Sequence, residues 1–148
     1  MLTRLLPDQI SNFWPIIKYA VEESLPPIVG DHPDKMNRIL SAMLSGKLEV
    51  WVSYKAEDRK FEAILVTQIL YDEASNMKNL LLYCLYGYDL IDKESWIEGW
   101  KAISKYAKSK GCSQVMAYSA DQDIVKLAKS FGGDTSYTFI SLSLDEIV

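Results

Sequence analysis

Apolar residues change their spacing several times along the chain, and each change marks an element. Met1 to Leu6 reads as a short edge strand, broken by Pro7-Asp8. Ile10, Phe13, Ile16, Ile17, Ala20 and Val21 then recur every three or four residues, the spacing of one buried helical stripe, so a helix is predicted from about Gln9 to Leu25. Pro15 is early enough to be tolerated or to mark a late start. The run Pro26 to Pro33 is a loop, and a second helix is predicted from about Asp34 to Ser45, closed by Gly46. From Leu48 the period falls to two, with Leu48, Val50, Val52 and Tyr54 on one face, which is a strand. The charged run Glu57 to Lys60 turns it into a second strand, Phe61 to Leu70, and Tyr71 to Asn79 reads as a polar loop. Leu80 to Tyr86 is continuously apolar, as in a central strand covered on both faces, and Gly87 ends or bulges it. A helix follows with Asp92 as N-cap and Trp96, Ile97, Trp100, Ile103 and Ala107 on one face. Gln114 to Ser119 is a strand, and Asp121 to Phe131 is a helix with Ile124, Val125, Leu127, Ala128 and Phe131 inward. Tyr137 to Leu144 reads as a last strand.

Composition fits one folded domain over residues 1–148. With 49% hydrophobic residues, the 148-residue chain can bury roughly 70% of its unfolded surface, enough for a core without disulfides or metal. Sixteen Lys+Arg against 20 Asp+Glu give a net charge of −4, which supplies no basic footprint for nucleic acid. Cys84 and Cys112 lack metal-ligand spacing and the only histidine is His32, so no metal site is expected. No apolar run reaches the roughly 20 residues of a membrane helix and the first residues do not resemble a signal peptide, so a cytoplasmic protein is expected.

The order of elements (strand, two helices, three strands, helix, strand, helix, strand) predicts a mixed α and β fold. The expected sheet has six to seven strands, mostly antiparallel, with helices on both faces. The strands at 80–87 and 114–119, joined through a helix, form its central parallel pair. Over nearly the whole chain this order resembles the GNAT superfamily of N-acetyltransferases. The most specific part is Gly111 to Ser119 followed by Asp121 to Gly133, which is similar to the family's strand, loop, helix and glycine ending.

The resemblance implies an acyl-CoA-dependent N-acyltransferase, with acetyl-CoA or another acyl-CoA as cofactor and a small-molecule or protein amine as acceptor. It places the pantetheine arm along Leu85, Tyr86 and Gly87, with Lys93 as the one favourable charge for the phosphates and Asp121 as a further cofactor-binding residue. The family's glycine-rich phosphate cradle is replaced by Gly87-Tyr88-Asp89-Leu90-Ile91-Asp92-Lys93-Glu94. Three carboxylates there favour the helix start, by about 0.3–1 kcal/mol each, and repel a phosphate. Ala128 stands where many members carry a tyrosine acid. The remaining acid or base candidates are Glu62, Glu73, Asp89, Tyr118 and Tyr137, and among them Glu62, Asp89 and Tyr118 are carried forward. Cys84 reads as a core thiol, and Trp51, Trp96 and Trp100 read as packing residues.

Two readings follow. One is an N-acyltransferase with a degenerate cofactor motif. The alternative is a non-catalytic binding or structural protein of the same fold, comparable to the GNAT-like proteins of bacteriophages. The segment Asp134 to Leu144 provides one closing strand where the family commonly has a hairpin. Its open edge is expected to accept a second copy or a partner protein.

Overall fold

A computed structural model describes all residues except Ala56, Asp58, Asp89, Leu90, Ile147 and Val148, and the side chain of Glu146. Two compact units are formed, Met1–Ala117 and Tyr118–Val148.

The first unit is a five-stranded sheet in sequential order: β1 (Leu2–Arg4), β2 (Glu49–Tyr54), β3 (Phe61–Asp72), β4 (Met77–Gly87) and β5 (Cys112–Ala117). The first four strands pair antiparallel, and β4 and β5 are parallel. Helices α1 (Pro7–Asn12), α2 (Trp14–Glu22) and α3 (Lys35–Leu44) supply Ile10, Ile17, Val21, Ile39 and Met43 to one core. That core covers the sheet face carrying Val50, Val52, Ile64, Val66 and Cys84. The other face carries Trp51, Leu65 and Leu80 and is covered by Ile103 and Ala107 of α4 (Lys93–Ser109). A chain of hydrogen bonds crosses this second layer. Trp51 Nε1 donates to Thr67 Oγ1 (3.0 Å), Thr67 Oγ1 donates to Glu49 Oε2 (2.9 Å), and the Tyr106 hydroxyl donates to Glu49 Oε1 (3.2 Å). Burial, with Glu49 beside it, pushes the Tyr106 phenol pKa up, so the phenol remains a donor.

Several sequence expectations are corrected. The single helix from Gln9 to Leu25 is two helices parted at Phe13. Pro15 has no N–H to donate, so it is tolerated only in the first turn of a new helix, α2. The break turns Phe13 and Ile16 out of the buried stripe, and Phe13 stacks edge-on against Phe61. The polar loop at 71–79 shrinks to a turn, because β3 runs to Asp72 and β4 begins at Met77. Trp51 is buried as expected, and Trp100 is 37% exposed.

The second unit contains α5 (Gln122–Ser130), capped by Asp121, whose carboxylate accepts from the Asp123 amide at 2.9 Å. The five positions expected to face inward, Ile124, Val125, Leu127, Ala128 and Phe131, are half-buried. Gly132 ends the helix at φ +85°, and the Gly133 amide donates to Ala128 O at 2.9 Å. A Cβ at Gly133 would meet that oxygen at 2.8 Å. The strand expected over Tyr137 to Leu144 does not form. Residues 133–143 have no regular structure, and Tyr137, Ile140 and Leu142 are exposed. Alternating side chains cannot make a strand without a backbone partner. The sheet thus has five strands rather than six to seven, and the edge strand on which the partner expectation rested is absent.

Candidate active site

The continuous apolar run in β4 conceals a register change. Against β3, Cys84 pairs with Val66 and Leu82 with Thr67, so Tyr83 is an extra residue, a β-bulge. Pairing with β5 ends at the same place, with Leu82 opposite Ala117. Beyond it β4 runs on to Gly87 beside β3 alone. A bulge bends its strand and increases the local twist, and here it coincides with the end of the β4–β5 ladder at Leu82 and Ala117.

Backbone groups on successive residues of a strand point to opposite neighbours. The Tyr88 amide donates to Glu62 O at 2.8 Å, so Cys84, Tyr86 and Tyr88 face β3. Leu85 and Gly87 therefore turn their N–H and C=O groups to the side where β5 has ended. Among the described residues of the first unit, two of the expected cofactor residues, Leu85 and Gly87, thus have backbone groups without a strand partner, whereas Tyr86 does not. The Tyr86 ring packs edge-on against Tyr19 (5.7 Å between centroids) and Tyr88 (5.0 Å). The Tyr88 hydroxyl donates to Ile16 O at 3.0 Å, and burial pushes its pKa up to about 12. This aromatic cluster fastens α2 to β4.

At the start of α4, Asp92 accepts the Ser95 amide at 2.7 Å, and that bond holds its carboxyl below the usual range. A depressed pKa means that the cap stabilises the fold at neutral pH and is lost as pH falls through the folded-state value. Lys93 is exposed, and among the described residues it forms no ion pair. The strand edge fits a pantetheine arm. The helix start fits a pyrophosphate less well, because one of its amides is already taken by a carboxylate. Asp121 is a helix cap in the second unit and shows no other role.

The expected acid and base residues are not gathered at the parting point. Glu62 is 2% exposed at a second bulge, where β2 and β3 shift register after Ser53. Its Oε2 accepts from Ser53 Oγ at 2.9 Å, and its Oε1 is buried without a hydrogen-bond partner among the described residues. Glu62 lies four residues along β3 from Val66, roughly 13 Å from the β4 bulge. Asp89 falls outside the described residues. Tyr118 begins the second unit, its ring edge-on to Phe139 at 4.8 Å. Tyr83, an ionisable side chain at the bulge, is one that the sequence presents only as an aromatic. Burial raises its phenol pKa, so it stays protonated at neutral pH. No local signal marks a bulge inside an unbroken apolar run. Its neighbour Cys84 is buried, and burial pushes that thiol up to about 11, which makes it a poor nucleophile.

Among the described residues no group of three or more His, Cys, Asp or Glu is placed to hold a metal ion. Among the described residues no helix is long and apolar enough to cross a membrane.

A five-stranded mixed sheet with one parallel pair, β4 and β5, and helices on both faces is a GNAT-like fold, and many solved structures share it. AAC(6')-Iy, in complex with the bisubstrate analogue CoA-S-monomethyl-acetylneamine, superposes with a TM-score of 0.70 at 11% identity over 97% of this chain and 96% of that one. A ribosomal-protein-alanine N-acetyltransferase from Brucella melitensis biovar Abortus 2308 gives 0.69 at 10% identity over 97% and 99%. Glucosamine-6-phosphate N-acetyltransferase from Arabidopsis thaliana gives 0.66 at 13% identity over 98% of each chain. At these identities the likeness is one of fold. No support for a bacteriophage relationship comes from them. No family model matches the sequence, and no curated protein matches it.

Proposed function

We propose that the protein is an acyl-CoA-dependent N-acyltransferase that moves an acetyl group from a thioester to an amine. The observation that carries this reading is the free edge of β4 at Leu85 and Gly87, opened by the bulge at Tyr83. A strand edge of this kind pairs with the amides of a pantetheine arm as it would with another strand. The thioester would supply the acyl group. The amine nitrogen bonds to the carbonyl carbon, the C–S bond breaks, the amine loses a proton, and the departing thiolate gains one. No electrons are exchanged with a third party. Tyr83, held protonated at the parting point, is suited to protonate the thiolate, a role the missing tyrosine at position 128 leaves open.

The capped start of α4 favours weak cofactor affinity, and it also supports the second reading, a non-catalytic protein of the same fold. An assay for free thiol release from acetyl-CoA in the presence of small primary amines separates the two. Amine-dependent release, reduced in Tyr83→Phe, is the expected result. No release with any amine, from protein that binds acetyl-CoA, leaves the binding protein.

A further inference from the structure

On the sheet face covered by α1 to α3, α3, the turn before β2 and the middle of β3 and β4 line an open pocket of about 230 Å³. Its polar lining is Arg38, Lys47, Gln68 and Tyr83, and Ile39 and Leu48 give it an apolar floor. We infer that this pocket is a subsite for the anionic group, a phosphate or carboxylate, of a small amine that serves as acyl acceptor; the acceptor role rests on the proposed acyltransfer.

Three observations support the anion. Two cations line one small pocket in a chain whose net charge is −4, and among the described residues neither forms an ion pair. Among the described residues, Arg38 has the His32 ring as its partner. Its Nη2 lies 3.3 Å from His32 Nε2, while His32 Nδ1 accepts from the Asp34 amide at 3.1 Å. In the neutral ring that bond leaves the proton on Nε2, so Arg38 faces a donor. The guanidinium, the ammonium and the Gln68 amide are all able to donate, and charge-assisted bonds to phosphate or carboxylate oxygens are the strong ones.

Size and position narrow the occupant. The volume equals roughly seven or eight waters, below the about 300 Å³ at which pockets for drug-sized ligands begin, so the ligand is small. Tyr83 belongs both to the pocket and to the bulge at which β4 leaves β5. An anion held by Arg38 and Lys47 would leave an amine one or two carbons away directed toward that point.

Calorimetric titration of the full chain with O-phosphoethanolamine, with β-alanine and with ethanolamine tests the subsite without the cofactor. The expected result is millimolar or tighter binding of at least one anionic amine, none of ethanolamine, and about a tenfold or greater loss in the Arg38→Ala/Lys47→Ala double variant. Both side chains are exposed, so the variant should keep the far-ultraviolet spectrum of the wild type. The inference is overturned by ethanolamine binding as tightly as the anionic amines, by unchanged binding in the double variant, or by no binding of either anionic amine at millimolar concentration. Binding that holds, with no acetylation of the bound amine by acetyl-CoA, would remove the acyltransferase reading and leave the anion site.

Discussion

Leu80→Ala is expected to destabilise the protein by about 2–5 kcal/mol, the range for truncating a fully buried leucine without collapse of the site. Leu80 has no exposed surface and sits in β4 between Ile69 of β3 and Val115 of β5. It packs in the layer that includes Ile103 and Ala107 of α4. Neighbours on both strands and on the helix are fixed by their own backbone hydrogen bonds, so the cavity has little freedom to close. For a domain of this length the loss corresponds to roughly 10 °C in Tm, read by thermal denaturation. A fall of only a degree or two would show that this layer is loosely packed. Surface changes such as Lys108→Ala provide the control, with effects within about 0.5 kcal/mol.

Deletion of Tyr83 is expected to leave the fold in place and to weaken acetyl-CoA binding by about tenfold or more. The geometry makes the deletion unusually mild. Leu82 already pairs with Thr67 and Cys84 with Val66, so removing the residue between them restores regular pairing without moving either partner. Side-chain facing is also kept. Leu82 and Leu85 pack with the α4 layer, and Cys84 and Tyr86 pack with the α1 to α3 layer, which is the alternation of an unbulged strand. What changes is the bend, and with it the free edge at Leu85 and Gly87. Circular dichroism verifies folding, and calorimetric titration with acetyl-CoA reads the loss. Unaltered affinity in a folded deletion variant would detach the bulge from cofactor binding.

Much of the architecture was legible in the sequence, since hydrophobic period depends on which face is buried. The two-residue alternation from Leu48, the apolar run of β4 and the Asp92 cap all correspond to the structure. Failures occurred where tertiary pairing overrides local pattern. The alternating residues 137–144 find no strand partner, and the polar residues at 71–79 are drawn into strands by the β3–β4 ladder. The site was less legible. The family resemblance directed attention to the segment around Leu85 and Gly87, and of the carboxylates expected at the α4 start Asp92 is a cap, while Asp89 lies outside the described residues. The feature that makes the strand a site, one additional residue at Tyr83, is a matter of register between strands distant in sequence. Glu62 was selected for its charge and its strand, and both are correct. Its carboxylate is nevertheless buried at another bulge, bonded to Ser53, away from the parting point.

Amide hydrogen exchange, resolved by residue, tests the central claim most directly: that the edge of β4 past the bulge is open and receives an acyl-CoA. In the free protein the Leu85 and Gly87 amides should exchange faster than those of Cys84 and Tyr86, which donate within the β3–β4 ladder. Addition of millimolar acetyl-CoA should slow Leu85 and Gly87 and leave Cys84 and Tyr86 unchanged. Leu85 and Gly87 amides already protected in the free protein, or exchanging at the same rate with and without acetyl-CoA, would contradict it.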